Sequence, residues 1–383
     1  MAAVFFFGSL RDRALLEIVL GRSVASDEII IAKAEGYAAR CLRDEAYPVL
    51  FASPGAVADG VVVDNLSALD MRRLVFFEDA EYVLAPISVT VGGDVREAQF
   101  FRDTEIAPTT DEEWDFARWQ REERAVALEC ARELMDYFDT PVGEDLDRIW
   151  PGIMTRARMR VRAAAETPVT GRLRGARAPG DVEQIETRRP FTGFFAMEER
   201  ILRHRRFDGG WSPEMSRLAL VSGDAVTVVP YDVRRDEVML IEQFRAPMLA
   251  RGDRCPWGVE AIAGRVDKEN DAEGAARREA LEEGGLTLGR MALVAGYYSS
   301  PGIAAEHLTS YIGEADLSAA GGTFGVVDEH EDIRAFTVSL QEALEGVASG
   351  EINNGPAILS LLWLQANADR LAEAWAIPTT GSG

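Results

Sequence analysis

The stretch from Gly264 to Leu286, GRVDKENDAEGAARREALEEGGL, constrains this chain more than any other segment. Asn270 and Glu273 have the spacing of a capping box, in which each end of the first helical turn bonds the other. This spacing predicts a helix that begins near Asp271 and ends at the Gly284-Gly285 pair, since glycine is the preferred helix terminator.

Three carboxylates, Glu279, Glu282 and Glu283, fall on one face of this predicted helix. Like charges within one turn repel by roughly 0.2–0.5 kcal/mol per pair, and a hard divalent cation would remove that cost. Most runs of glutamate are simply solvated helix faces. A metal site is the alternative, and it is favoured by the family resemblance given below.

The bulk composition sets limits on fold and partners. The chain has 383 residues, of which 47% are hydrophobic, so two separate cores are expected. A formal net charge of −23 argues against nucleic acid and anionic membranes as partners, because both require basic surfaces.

Cysteine usage and the first residues indicate a compartment. Cys41, Cys130 and Cys255 show no paired spacing, and the three histidines show no zinc-ligand pattern, so we expect free thiols in a reducing cytoplasm. The opening residues lack a basic region before a long apolar run, so neither a signal peptide nor a membrane span is expected.

Residues 1–166 alternate strand and helix patterns. The predicted strands are Val4–Phe7, Ala58–Val63 and Ile87–Val91. The predicted helices are Arg11–Leu20, Ser67–Phe77 and one long amphipathic helix over Thr110–Phe138.

Residues 167–180 have the glycine, proline and small-residue content of a linker, which predicts domains at 1–166 and 181–383. Before the linker lies a basic patch, for which an internally ion-paired or solvated face is favoured over an anion site. Its members are Arg148, Arg156, Arg158, Arg160 and Arg162.

The second half is predicted to hold a central hairpin. Ala225–Pro230 and Glu237–Glu242 form it across a charged turn, and Val182–Phe191 and Glu198–Phe207 are predicted strands before it. Beyond the glutamate-rich helix, residues 326–332 (VVDEHED) form a second acidic loop.

These motifs resemble a known superfamily. The stretch 264–286 is similar to the Nudix box at every fixed position except Asn270, where that family has Glu. Segments outside the box narrow the resemblance to ADP-ribose pyrophosphatases. They are GFF (193–195), the SxE-x-SR segment (212–217), IEQFR, SSPG with Glu306, DEHEDI and INNGPAILSLLWLQ.

The resemblance implies a Mg²⁺-dependent hydrolase, with Mn²⁺ possible, that converts ADP-ribose to AMP and ribose 5-phosphate as a homodimer. The implied metal ligands are the carbonyl of Ala263 and the side chains of Glu279, Glu283 and Glu331. The implied catalytic residues are Glu329 as the base and Glu282 beside the metal ligands. The implied substrate contacts are Phe194 on adenine, with Arg217 and Arg245 on phosphate or ribose.

The first half resembles the γ-glutamylcyclotransferase-like, AIG2-like family through FFFGSLRD, AYPVLF, DGVVVDN and LDMRRLVFFEDAEY. The resemblance implies that the backbone N–H groups of Gly8, Ser9 and Leu10 bind a substrate carboxylate and that Glu78 is the general acid/base. A carboxyl that follows two phenylalanines lies in apolar surroundings, which raise its pKa toward the range useful for proton transfer.

The first half also departs from that family's pattern. Phe7 replaces a usual Tyr, Asp79 replaces the Gly after the Glu, and no Arg follows Tyr82. Two interpretations stay open: a second active site, or a module retained for packing or partner binding.

The expected fold class is α+β. A small β-barrel or sheet with helices precedes a Nudix α/β/α sandwich with a mixed sheet. Such a fusion is similar to bacterial proteins associated with tellurite resistance, although nothing in the sequence links it physically to tellurium. Two alternatives remain: a cyclotransferase as the main function, or a non-catalytic ADP-ribose-binding sensor in which Asn270 marks lost catalysis.

Overall fold

A computed structural model describes residues 2–42, 47–78, 82–104, 109–167, 173, 175, 177–266, 271–326 and 331–376. The chain divides into two compact units, Met1–Val169 and Thr170–Gly383.

The first unit is built on a closed sheet. Its described strands are β1 (Ala2–Phe6), β2 (Ile29–Leu42), β3 (Pro48–Leu66), β4 (Tyr82–Val91), β5 (Asp94–Asp103) and β6 (Thr109–Glu113). Their order is β3-β1-β5-β4-β2-β6, and β3 also pairs with β2. The first five strands of that order therefore close into a small barrel, as expected, and β6 extends it beyond β2.

Alternation along the strands gives the barrel two apolar surfaces. Phe5 and Val62 belong to one buried cluster with Ile87 of β4 and Phe100 of β5. The neighbouring residues in sequence, such as Phe6, belong to a second cluster that includes the helices. The sheet is therefore covered on one side by a helical layer.

The helices of this layer are α1 (Arg13–Leu20), α2 (Ala68–Glu78), α3 (Phe116–Glu122), α4 (Arg124–Met135) and α5 (Leu146–Ala165). The prediction of one helix over Thr110–Phe138 is wrong. Its first residues form β6, whose Glu113 pairs with Arg40 of β2, and its helical part divides at Glu123. Pairing with β2 overrides the helical periodicity, which depends on local sequence alone.

Two arginines of the basic patch form ion pairs with one internal carboxylate, that of Glu133. Arg156 and Glu133 are 0% and 1% exposed, and their nearest N and O atoms are 2.6 Å apart. Arg160 approaches the second carboxylate oxygen of Glu133 at 2.7 Å. The internally paired interpretation is confirmed for these two, and Arg148 pairs with Asp145 at the surface.

The described residues of the second unit form two sheets. The smaller one orders β7 (Val182–Thr192), β8 (Ala196–His204) and β9 (Met215–Val221). The larger one contains β10 (Ala225–Asp232), β11 (Glu237–Phe244), β12 (Trp257–Glu260), β13 (Ile262–Arg265), β14 (Met291–Tyr298), β15 (His307–Glu314), β16 (Gly322–Phe324) and β17 (Ile333–Ser339). Its β10 and β15 are parallel and its other pairs are antiparallel, so this sheet is mixed.

Helices pack on both faces of the larger sheet. They are α7 (Ala272–Gly284), α8 (Leu340–Ser349) and α9 (Gly355–Ala376), whereas the short α6 (Ala246–Arg251) follows β11 and has no buried residues. Met239 and Ile241 of β11 are buried with alanines of α7, whereas Leu240 between them is buried with Leu361 and Leu364 of α9. The expected α/β/α sandwich is confirmed.

The two strands of the central hairpin diverge away from their turn and leave a wedge-shaped gap between them. The strands β10 and β11 pair only beside their turn, at Tyr231 with Val238 and at Asp232 with Glu237. Further along, β12 pairs with β11 and β13 pairs with β10. One continuous segment, 257–265, thus fills this wedge-shaped gap and precedes the glutamate-rich helix α7.

Candidate functional site

Both ends of α7 are capped. Asp271 is the N-cap, and its Oδ1 accepts a hydrogen bond from the Gly274 N–H at 2.6 Å. The expectation that Asn270 caps the helix is therefore off by one residue, and Asn270 itself lies outside the described residues. Gly285 terminates the helix at φ +63°, a left-handed conformation that glycine adopts without steric cost. These caps fix where the glutamates of α7 point.

The strand β13 touches α7 through a glycine. A Cβ added to Gly264 would lie 2.5 Å from Glu279 Cγ and closer still to the Glu279 carboxyl group. Only a residue without a side chain allows the carboxylate this close to the strand. The first glycine of the stretch is therefore explained by packing against its glutamate.

The three glutamates of α7 do not share one environment. Glu279 and Glu283 are 8% and 3% exposed, and Glu283 Oε2 accepts a hydrogen bond from the Ala263 N–H at 3.0 Å. Glu282 is exposed and pairs with Arg278 at 2.9 Å. Each residue turns the helix by about 100°, so positions four apart share a face more closely than positions three apart.

Burial gives the two inner carboxyl groups unusual acidities. Desolvation raises the pKa of Glu279 to about 7, with Arg278 opposing the shift and Glu282 adding to it. Desolvation likewise raises the pKa of Glu283 to about 8, opposed by the Ala263 N–H and increased by Glu279 and Glu331. Negative charge on these groups is therefore costly unless a cation compensates it.

The acidic loop after β16 contributes Glu331. Its Oε2 accepts a hydrogen bond from the Val326 N–H at 3.2 Å, and its charge raises the pKa of both Glu279 and Glu283. The predicted base, Glu329, lies outside the described residues.

The predicted metal ligands fit a hard divalent cation by their chemistry. Carboxylate oxygens and a backbone carbonyl are the donors such ions prefer, and buried, mutually repelling carboxyl groups are what a cation stabilises. Within the described part of the chain, no three His, Cys, Asp or Glu side chains are grouped closely enough to hold an ion as they stand. Their oxygens instead meet protein donors: Arg278 for Glu279 at 2.8 Å, Ala263 N–H for Glu283 and Val326 N–H for Glu331.

Arg278 connects α7 to the neighbouring strand. Besides its pairs with the glutamates of α7, its Nη2 donates a hydrogen bond to the Arg265 carbonyl at 3.1 Å. It thus ties the helix to the end of β13.

Arg245 follows β11 and faces the same carboxylates. Its Nε and Nη2 donate to Glu260, which is buried, with a shortest distance of 2.7 Å. Its burial lowers the pKa of the guanidinium, but Glu260, Glu283 and Glu331 outweigh this and hold the pKa above its usual value. Arg245 is therefore a fixed positive charge beside the box.

The predicted adenine contact, Phe194, lies between β7 and β8 and is 66% exposed. The Arg265 guanidinium carbon lies 3.5 Å from its ring centroid, and the Phe195 ring meets it edge-on at 4.8 Å. The structure thus places an accessible aromatic face beside the last residue of β13. Sequence reasoning did not single out Arg265, whose place inside the stretch gave no separate signal.

Arg217 lies elsewhere on the unit's surface. It belongs to β9, its backbone pairs with Arg200 of β8, and its Nη1 donates to the Ser216 carbonyl at 2.8 Å. Its described contacts are within its own sheet, so its predicted role stays a prediction.

The first unit has a cavity of about 380 Å³. Its lining includes the four residues predicted for this unit, namely Gly8, Ser9, Leu10 and Glu78. Burial raises the pKa of Glu78 to about 7, as its position after two phenylalanines suggested. The cavity is also lined by residues of α4 and α5, such as Trp150, for which the sequence carried no signal.

The described residues contain no helix that is both long and apolar enough to cross a membrane. Cys41, Cys130 and Cys255 are all free thiols, as expected.

Comparisons with known proteins match each half to a separate family. Residues 221–357 match the NUDIX domain model, and residues 4–120 match the model "Gamma-glutamyl cyclotransferase, AIG2-like". A solved structure described as "Crystal structure of ADP compounds hydrolase" covers 53% of this chain and all of its own, at TM-score 0.39 and 14% identity.

Curated relatives align with the second half. The ADP-ribose pyrophosphatase of Escherichia coli (strain K12) is 38% identical over 196 residues, which cover 51% of this chain and 93% of the relative. That of Haemophilus influenzae is 34% identical over 197 residues, covering 51% and 91%. A GDP-mannose pyrophosphatase of Escherichia coli O9:H4 is 33% identical over 146 residues, covering 38% and 75%.

These similarities extend over nearly the full length of the ADP-ribose pyrophosphatases and include the capped glutamate helix and its strand. The chain therefore belongs to the ADP-ribose pyrophosphatase family of Nudix hydrolases, joined to an AIG2-like γ-glutamylcyclotransferase domain.

Proposed function

We propose that the second unit hydrolyses the pyrophosphate bond of ADP-ribose, with Mg²⁺ or Mn²⁺, to AMP and ribose 5-phosphate. The observation that carries the proposal is the buried pair Glu279 and Glu283, held against β13 by Gly264 and Ala263. Buried carboxyl groups with pKa values raised to about 7 and 8 are stabilised by a divalent cation far better than by water.

The ligands in this proposal are the Ala263 carbonyl, Glu279, Glu283 and Glu331, with Glu282 beside them. Bound divalent cations would neutralise the pyrophosphate oxygens and lower the pKa of a coordinated water. Glu329 would accept the proton of the attacking water, a role based on the family resemblance.

The substrate's ends would be held by residues outside the helix. Phe194 offers an exposed ring for stacking on adenine, and Arg265 behind it keeps that ring oriented. Arg245 presents a fixed positive charge beside the carboxylates, suited to a phosphate oxygen. The predicted contact of Arg217 with phosphate or ribose belongs to the same proposal.

The test is AMP release from ADP-ribose with and without Mg²⁺, followed by chromatography. Glu283→Gln should reduce the rate by orders of magnitude. The matched control is Glu273→Gln on the same helix, because Glu273 is exposed and pairs with Arg277 one turn away. Tight ADP-ribose binding without AMP would favour the sensor alternative, and GDP-mannose hydrolysis at a higher kcat/KM would change the substrate.

The second unit is also proposed to form a homodimer. Its smaller sheet exposes large apolar side chains: Val182 53%, Ile185 46%, Phe191 61% and Leu218 60%. Apolar groups this exposed are typical of surfaces that a partner covers. Light scattering coupled to size exclusion should give twice the 42.0 kDa chain mass. A cytoplasmic location is part of the same proposal and would be checked by cell fractionation.

A cyclotransferase activity of the first unit is a second candidate. It is favoured by the position of Glu78 on a cavity, with a pKa near the range required of a general acid/base. Release of 5-oxoproline from γ-glutamyl amines, abolished by Glu78→Gln, would establish it. If the wild-type protein releases no more 5-oxoproline than the variant, the first unit is instead a module for packing or partner binding.

A further inference from the structure

A buried side chain of β11 has an amide group without a partner. Gln243 is 7% exposed, and its Nε2 is buried and makes no hydrogen bond within the described part of the chain. Nearly all buried polar atoms are bonded, because a buried donor without an acceptor has lost its hydrogen bonds to water. The unbonded amide therefore indicates that a ligand supplies the missing acceptor.

Gln243 lies on the face of the larger sheet that meets α7. Met239 and Ile241 of β11 are buried with alanines of α7, and Gln243 continues that alternation two residues later. Gln243 pairs with Gly258 of β12, and a Cβ added to Gly258 would lie 2.8 Å from Glu260 Oε1. The Glu260 carboxylate therefore lies over Gly258, next to the Gln243 side chain.

The carboxylates on this face are already bonded to other donors. Both oxygens of Glu260 accept hydrogen bonds from the Arg245 guanidinium, at 3.2 and 2.7 Å. Glu283 and Glu331 each accept a hydrogen bond from a backbone N–H. The Gln243 amide thus remains unbonded on a face that is rich in acceptors.

The charges on this face favour an anionic acceptor. Burial lowers the pKa of the Arg245 guanidinium, whereas Glu283 and Glu331 are close enough to help raise it. The Arg245 guanidinium and the Gln243 amide are therefore two donors on the same face as the carboxylates proposed to hold cations. A group that lies between cations and hydrogen-bond donors should carry negative charge and accept hydrogen bonds, as a phosphate oxygen does.

We propose that the Gln243 amide donates a hydrogen bond to a non-bridging oxygen of the substrate's pyrophosphate, beside the contact proposed for Arg245. This inference rests on the proposed hydrolysis of ADP-ribose and adds a residue that binds the reacting group. An amide suits the position because it donates without adding a charge that would repel the cations.

The first test is Gln243→Met, which keeps the length of the side chain and removes the amide donor. The variant should lower kcat/KM for ADP-ribose at least about tenfold, because a hydrogen bond to a charged acceptor contributes that much or more. The matched control is Glu242→Met. Glu242 is the neighbouring residue on the opposite face of β11 and pairs with the exposed Arg334, so the control should stay within about twofold of wild type.

The second test measures binding without reaction. The probe is the ADP-ribose analogue in which a CH₂ group replaces the bridging oxygen of the pyrophosphate, used in calorimetry with the full chain and Mg²⁺. The analogue retains the non-bridging oxygens, so Gln243→Met should weaken its binding at least about tenfold. Mg²⁺ alone should bind wild type and variant equally. Weaker Mg²⁺ binding with unchanged analogue binding would assign the amide to the metal's surroundings and overturn the proposal.

The third test separates substrate binding from a structural role. Because the amide has no described protein partner, Gln243→Met should be at least as stable as wild type in urea without metal or substrate. Stability is followed by hydrogen exchange of peptides from α7 and β10. A less stable variant would show that the amide is already bonded within the protein, and it would overturn the proposal.

Failure of this inference is distinguishable from failure of the proposed function. Wild type that releases AMP while Gln243→Met matches it in kcat/KM and in analogue binding would overturn this inference alone. Wild type that binds the analogue without releasing AMP from ADP-ribose would refute the hydrolysis, and the binding comparison would still decide the role of Gln243. Wild type that neither releases AMP nor binds the analogue would overturn both.

Discussion

The burial of Glu283 implies a lower free energy of unfolding for the second unit when no metal is bound. Burial raises the pKa of this carboxyl group from its ordinary value of 4.5 to about 8. At about 1.4 kcal/mol per pKa unit, folding at pH 7 then costs about 3 kcal/mol for this group. Glu283→Gln keeps an oxygen that can accept from the Ala263 N–H but never ionises, so the metal-free variant should be more stable by up to that amount.

The pH dependence follows from the direction of the shift. The folded state retains the proton at a higher pH than the unfolded state, so metal-free stability should fall as pH rises from about 4.5 to about 8. Below that window both states are protonated and wild type should approach the variant. Above it the difference should be constant.

The assay is urea denaturation in EDTA at pH 5, 7 and 8.5. Unfolding is monitored by hydrogen exchange of peptides from α7 and β10, which reports on the second unit alone. With Mg²⁺ at about 100 times its Kd, wild type should gain about 2.7 kcal/mol and the variant little. Glu273 is exposed on the same helix, so Glu273→Gln should change neither the metal-free stability nor the gain on adding Mg²⁺ by more than about 0.5 kcal/mol. A metal-free Glu283→Gln protein less stable than wild type at pH 7 would refute the reasoning.

Three further substitutions test other parts of the structure. Phe194→Ala should raise the KM for ADP-ribose by about tenfold with little change in kcat, measured by steady-state kinetics, because one aromatic stack contributes about 0.5–1.5 kcal/mol. Glu133→Gln should destabilise the first unit by about 3 kcal/mol, seen as faster hydrogen exchange in α4, because it removes a buried charge that pairs with the buried Arg156. Gly264→Ala should lower AMP release at least about a hundredfold, whereas Gly180→Ala, whose added Cβ meets nothing within 4 Å, should match wild type in the same assay.

The sequence predicted those features that depend on local periodicity or on fixed spacing. The central hairpin and the helix ending at Gly285 follow from patterns within about twenty residues, whereas the sandwich was expected through the family resemblance. The barrel of the first unit was predicted only through its resemblance, because closure requires β3 to pair with both β1 and β2.

What the sequence missed depends on pairing between distant residues. The strand β6 has a polar sequence that fits a helix start, and only its pairing with β2 makes it a strand. Arg156 is indistinguishable in sequence from its less buried neighbours Arg158, Arg160 and Arg162, and Glu133, 23 positions away, is what allows its burial. The separation of Glu282 from Glu279 and Glu283 likewise depends on which side of α7 meets β13.

The wedge in the central hairpin has a consequence for how this family can vary. The segment 257–265 bonds to β10 and β11 along both of its halves, so its position is set by the sheet and not by the connections at either end. Residues 246–256 before it can change in length or sequence while the strand that touches the glutamates stays in register. New substrate preferences can therefore be acquired by remodelling this connection without moving Gly264.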